Sequence, residues 1–149
     1  MTTRFTLQNL LDLAQARTDS AAQNLGQSFS REQAEDQKLQ MLIEYRRDYQ
    51  ASFQIAMRDG VSPASWRNYQ EFMNKLDLAV KQQVEVVTYW QRQALASRNE
   101  WECEQRRLTS YDTLHERHQQ TESRRASRAE QKEHDEYSAT AHARLIGHE

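Results

Sequence analysis

Glycine and proline are nearly missing from this sequence, with three and one respectively in 149 residues. Chain reversals that need a left-handed residue or a fixed φ are therefore few, and little interrupts long regular structure. Cysteine occurs once, as Cys103, which excludes an intramolecular disulfide. It falls outside the apolar repeat described below, so an exposed, reduced thiol and a cytosolic setting are expected. Apolar residues are scarce too, at 37% against 28% charged. Such a chain buries a narrow stripe rather than a thick core, and its abundant Gln, Glu, Arg, Ala and Leu suit long helices. No apolar run approaches about 18 residues, so no membrane span is expected. Residues 1–19 alternate polar and apolar on a helical period and lack the continuous apolar centre of a signal peptide. Excess positive charge is also lacking. A formal net charge of −2 provides no field for a phosphate backbone, and nucleic acid is not an expected partner.

What the chain does have is a repeat. Stepping alternately by three and four residues from Trp66 gives Tyr69, Met73, Leu76, Val80, Gln83, Val87, Trp90, Ala94, Ser97, Trp101, Glu104, Leu108 and Tyr111. All but Gln83, Ser97 and Glu104 are apolar or aromatic, and all three tryptophans lie on it. A period of about 3.5 residues held this long marks the seam of a coiled coil, because a straight helix drifts off it within a few turns. That spacing favours packing over ligand stacking as the role of the tryptophans. A first stripe, on a helix beginning near Phe5, reads Leu7, Leu11, Ala14, Thr18, Ala21, Leu25, Ser28, Glu32, Glu35, Leu39, Leu42, Arg46, Tyr49, Phe53 and Ala56. Its middle, Ser28, Glu32 and Glu35, is polar and follows Gly26, which costs about 1 kcal/mol of helix propensity against alanine. A looser mid-section is expected there, with Phe29 placed to rotate inward and cover it.

One clear break separates the stripes: Arg58-Asp59-Gly60-Val61-Ser62-Pro63. Gly60 suits the left-handed residue that ends a helix. Ser62 can cap the next helix, and Pro63 at its first position loses no hydrogen bond. A turn this short makes the two helices antiparallel, so position numbers that face each other sum to roughly 118. Leu42 then meets Leu76, Tyr49 meets Tyr69, Leu25 falls near Ala94 and Leu7 near Tyr111. The apolar repeat of the second helix fades where the first runs out of residues to face it. The expected fold is all-α, a long antiparallel two-helix coiled-coil hairpin over residues 1–149 as one domain. Helix one spans about 5–58, the turn 59–62 and helix two about 63–140, with 112–149 an overhanging, frayed tail.

Catalytic constellations are absent from the pattern. All five histidines, His115, His118, His134, His142 and His148, lie in the tail. His115-Glu116-Arg117-His118 is one residue short of the metalloprotease helix motif and does not reproduce its geometry. No glycine-rich phosphate loop occurs, and no cofactor or metal is expected. A two-helix chain without a pocket cannot exclude water from a reaction, so an enzyme is not expected. Arg124, Arg125, Arg128 and Lys132 are offset by neighbouring acids and read as a solvated face, or as a docking element on an unpaired helix end. The more informative surface flanks the seam. Lys38 and Tyr45 occupy one flank of the first helix, Phe72 and Ala79 the facing flank of the second. Tyr45 then opposes Phe72, and Lys38 opposes Ala79, with Leu42 and Leu76 beneath. Two readings of this strip stay open: it widens the core near the turn, or it is an exposed protein-binding site.

Gln33-Ala34-Glu35-Asp36, Met41-Leu42-Ile43-Glu44-Tyr45 with Tyr49, and Gly60-Val61 followed by Trp66-Arg67-Asn68-Tyr69-Gln70, Phe72, Leu76 and Ala79 form a more specific pattern. In these blocks the chain resembles the FliJ family of the bacterial flagellar type III export apparatus. The similarity is strongest over residues 33–83 and extends more weakly along the chain, through Trp90, Trp101 and Leu108. The resemblance implies a coiled coil similar to the central stalk of rotary ATPases. It implies docking within the hexameric export ATPase, contact with the cytoplasmic linker of the membrane export-gate protein, and recycling of export chaperones of minor filament components. It places the protein in the cytoplasm, at the inner membrane beneath the flagellar base. The family's gate-binding surface carries over to Lys38, Leu42, Tyr45, Tyr49, Phe72, Leu76, Ala79 and Gln83. Lys38 stands where the family has Gln and Gln83 where it has His, so the polar edge of this surface is altered. Contact with the ATPase ring is expected at Leu7, Leu11, Tyr111, Arg124, Arg125 and Arg128. The alternatives are a self-associating coiled-coil scaffold, a cargo-holding chaperone, and the equivalent stalk of an injectisome.

Overall fold

The structure, a computed structural model, describes residues 2–147, with side chains from Thr6 onward. Two helices account for nearly all of it: α1 (Thr2–Arg58) and α2 (Pro63–Ile146). They pack against each other as a helical hairpin, and no strand occurs among the described residues. The boundaries follow from the few breakers. Gly60 takes a φ of 91°, the left-handed conformation that a side chain disfavours, and its N–H donates to the Met57 carbonyl at 3.2 Å. Ser62 Oγ accepts from the Ser65 N–H at 3.2 Å, the capping bond expected of a serine ahead of Pro63. Beyond Pro63 the next glycine or proline is Gly147, and α2 runs to Ile146 instead of ending near residue 140. His148 lies outside the described residues.

The contacts divide into two units. One is Arg17–Glu104, which contains the turn; the other joins the residues up to Ala16 with those from Gln105 onward. In the first, Thr18, Ala21, Glu35 and Leu39 of α1 and Met73, Leu76 and Val87 of α2 are buried. The aromatic layers next to the turn follow the anticipated register. Tyr49 stacks on Tyr69 with ring centroids 5.6 Å apart, and Tyr45 meets Phe72 edge-on at 6.0 Å. Ala56 and Trp66 are the seam positions that remain exposed, Trp66 at 40%. They sit at the turn, where no further layer lies beyond to cover them.

The polar mid-section is closed differently from expectation. α1 continues unbroken through Gly26. Phe29 does not rotate inward and stays 53% exposed. Instead Ser28 shares a hydrogen bond with Ser97 at 3.2 Å, one heptad beyond the Trp90 that the register places opposite it. The guanidinium of Arg31 lies 5.5 Å from the Trp90 ring centroid, a cation–π contact that shields the tryptophan face. Small hydroxyl side chains let the helices keep contact where no apolar pair is available.

In the other unit, Ala14 is buried and Leu7, Leu11, Leu108 and Tyr111 are half-buried. Cover reaches further than the apolar repeat: His115 and His118 are half-buried as well. From Gln119 to Gly147 every side chain is exposed, yet the helix persists. Side-chain pairs one turn apart, such as Lys132 with Glu136 at 3.9 Å, give it local support.

Candidate functional site

The flank of the seam near the turn is built by two stretches that face each other, residues 38–49 of α1 and 72–83 of α2. Phe72 lies against Tyr49 with centroids 4.5 Å apart, which orients its ring beside Tyr45. Leu76, buried, and Leu42, half-buried, form the floor. Ala79 is half-buried, and its small side chain leaves the strip open. Tyr45 is 52% exposed and Lys38 is exposed. The strip therefore covers the seam with Tyr49 and Phe72 while presenting Tyr45 to solvent. Tyr49 and Phe72 thus widen the core, and Tyr45 is the exposed ring of the strip.

Next to Tyr45 lies an open groove of about 610 Å³ lined by Lys38, Met41, Leu42, Glu44, Tyr45, Asp48 and Gln83. Four of these, Lys38, Leu42, Tyr45 and Gln83, belong to the carried-over set. Met41, Glu44 and Asp48 were not among the expected site residues, because they lie outside the seam and its facing flank. Val86, exposed, extends the flank one heptad past Ala79 and was also missed, although its spacing from Phe72 and Ala79 would have found it.

Beneath the polar edge of the groove is a buried carboxylate. Glu35 is only 4% exposed. The Gln83 side-chain amide donates to Glu35 Oε2 at 2.7 Å and to its backbone carbonyl at 2.9 Å. Lys38 Nζ and Arg31 Nη2 each approach Glu35 Oε1 at 3.3 Å. The sequence marked Glu35 only as a weak point of the stripe, but the register places it opposite Gln83, one of the polar residues on the facing seam. The hydrogen bond from Gln83 does most to hold the Glu35 carboxyl below its ordinary value of 4.5; burial opposes this, and Lys38 and Arg31 reinforce it. Lys38 and Gln83 thus serve Glu35 before they can serve any partner.

The lowered pKa has a consequence for stability. A carboxylate depressed in the folded state contributes stability that is full above its unfolded pKa, and that contribution is lost as pH falls through the folded value. The urea midpoint of the wild type should exceed that of Glu35→Gln at neutral pH. The difference should shrink progressively below pH 4.5, the ordinary value of the group. A gap that is flat with pH, measured by helical signal, would contradict the assignment.

The other expected sites are placed as follows. Leu7, Leu11 and Tyr111 are half-buried on the seam. Arg124, Arg125 and Arg128 are exposed, with Arg125 4.0 Å from Glu122. His115 bonds Gln119 at 3.1 Å and His118 lies 3.9 Å from Glu122. Among the described residues no group of His, Cys, Asp or Glu has the arrangement of a metal site. No described helix is long and apolar enough to cross a membrane.

The chain matches the family described as FliJ, flagellar FliJ protein, over residues 3–145. It is 30% identical over 135 residues to the flagellar FliJ protein of Salmonella typhi, covering 91% of this chain and 92% of that protein. The flagellar FliJ protein of Escherichia coli (strain K12) is likewise 30% identical over 135 residues, with coverage of 91% and 92%.

Proposed function

The chain belongs to the flagellar FliJ family, a component of the flagellar protein export apparatus, and we propose that it works there as a non-catalytic stalk and adaptor. It promotes assembly and activity of the hexameric export ATPase, holds the cytoplasmic linker of the export-gate protein, and recycles export chaperones of minor filament components. Its place is the cytoplasmic face of the inner membrane at the flagellar base. The observation that supports this most directly is the aromatic strip at Tyr45 and Phe72, which stands on a seam closed by the chain's own two helices. A seam closed from within leaves the strip available to another protein.

The gate is bound through Tyr45 and Phe72, with Lys38, Leu42, Tyr49, Leu76, Ala79 and Gln83 shaping and supporting the surface. Buried Leu76 acts through the floor of the strip, and Lys38 and Gln83 act through Glu35. The ATPase is met by the other unit, through Leu7, Leu11, Tyr111, Arg124, Arg125 and Arg128. A protein seated in a ring alters its activity only by binding one ring state better than another. The exposed helical face from Gln119 onward is free to make such state-dependent contacts.

The test is the ATP hydrolysis rate of the cognate export ATPase as the full-length chain, or a form ending at Tyr111, is titrated in. Stimulation by the full-length chain that is lost with the shorter form is the expected result. Stimulation that survives the truncation would move the contact to the paired helices. An unchanged rate with the full-length chain would overturn the stalk role.

A further inference from the structure

We propose that the groove beside Tyr45 accepts a linker segment in which an apolar anchor is flanked by lysine or arginine, with Glu44 and Asp48 receiving the basic side chain. This rests on the gate-docking reading above and specifies the chemistry of the bound segment. Met41 is 68% exposed and lines the groove together with half-exposed Tyr45 and with Leu42. A flexible, polarizable methionine beside an aromatic ring offers an adaptable apolar seat.

The charge on the groove wall selects the occupant. Glu44 and Asp48 stand one helical turn apart, both exposed, and both line the groove. Neither takes part in an ion pair or side-chain hydrogen bond among the described residues. Lys38 is the one cation lining the groove, and its ammonium is already engaged by Glu35 at 3.3 Å. Arg47 lies between the two acids in sequence but does not line the groove. Like charges one turn apart destabilise each other, and a cation placed between them relieves this. An apolar seat edged by two uncompensated carboxylates complements a basic amphipathic segment and repels an acidic one.

The test uses the full-length chain and the detergent-solubilised export-gate protein, with affinity and association rate measured across a series of NaCl concentrations. Glu44→Gln with Asp48→Asn should weaken binding about tenfold at low salt, mainly through slower association, and flatten the salt dependence. Glu44→Lys with Asp48→Lys should weaken it further. Both positions are exposed, so helical content should match the wild type in every variant. Wild-type affinity and salt dependence in Glu44→Gln/Asp48→Asn, while Tyr45→Ala/Phe72→Ala loses binding, would overturn this inference and leave the docking reading intact. If the wild type does not bind the gate protein, or Tyr45→Ala/Phe72→Ala binds it equally well, the docking reading falls and this inference with it.

Discussion

Replacing Tyr45 and Phe72 together by alanine is expected to weaken binding to the export-gate protein about a hundredfold while leaving helical content unchanged. The size follows from what the two rings offer. Buried aromatic anchors at interfaces cost about 2 kcal/mol or more when truncated, and effects of neighbouring anchors do not add fully. Tyr45 is half-exposed and so has surface left to bury in a complex. Phe72 holds Tyr45 edge-on at 6.0 Å, so its loss removes both contact area and orientation. The fold should tolerate the change because Met73 and Leu76 remain buried beneath. Calorimetric titration of the gate protein, with far-ultraviolet circular dichroism on the same samples, measures both quantities. A matching fall in helicity would mean that the two rings act through the fold and not by contact with the gate protein.

Leu76→Ala should act in the opposite way, lowering stability by about 2–3 kcal/mol. Only Met73, Leu76 and Val87 are buried on α2, and no second layer stands behind them. Removing Leu76, 7% exposed, leaves a gap that a one-residue-thick seam cannot refill from a neighbouring layer. Leu78→Ala, at an exposed position on the same helix, is the control and should lie within about 0.5 kcal/mol of wild type. Urea denaturation followed by helical signal separates the two. Equal midpoints for both variants would mean that the seam does not carry the stability assigned to it. The contrast also separates roles within the docking surface. On the proposed docking surface, Leu76 would affect the gate through the floor it supplies, and Tyr45 by contact.

The hairpin was legible because its determinants are local or periodic. Gly60, Ser62 and Pro63 specify one turn, and the alternating spacing of three and four names the seam residues that the structure shields from solvent, Ala56 and Trp66 at the turn excepted. Layers next to the turn followed from counting outward, as with Tyr49 on Tyr69. Features set by side-chain choice across the seam were less legible. Phe29 was expected to cover the polar section, but the Ser28–Ser97 hydrogen bond and Arg31 over Trp90 close it with less rearrangement. Glu35 looked like a defect because an acid on a seam is costly unless satisfied. Its partner Gln83 lay at the facing register position and was readable only by pairing polar positions across the seam. The groove wall, Met41, Glu44 and Asp48, shares a helix face with Tyr45 by its spacing, but it lies on neither the seam nor its facing flank, so the repeat did not mark it.

The central claim is that one chain serves the ATPase and the gate through separable surfaces. Its most direct test is the ATP hydrolysis rate of the cognate export ATPase titrated with full-length Tyr45→Ala/Phe72→Ala. Stimulation equal to that of the wild type, by a variant that no longer holds the gate protein, is the expected result. Loss of stimulation alongside gate binding, at wild-type helicity, would contradict the claim and place both partners on the same strip.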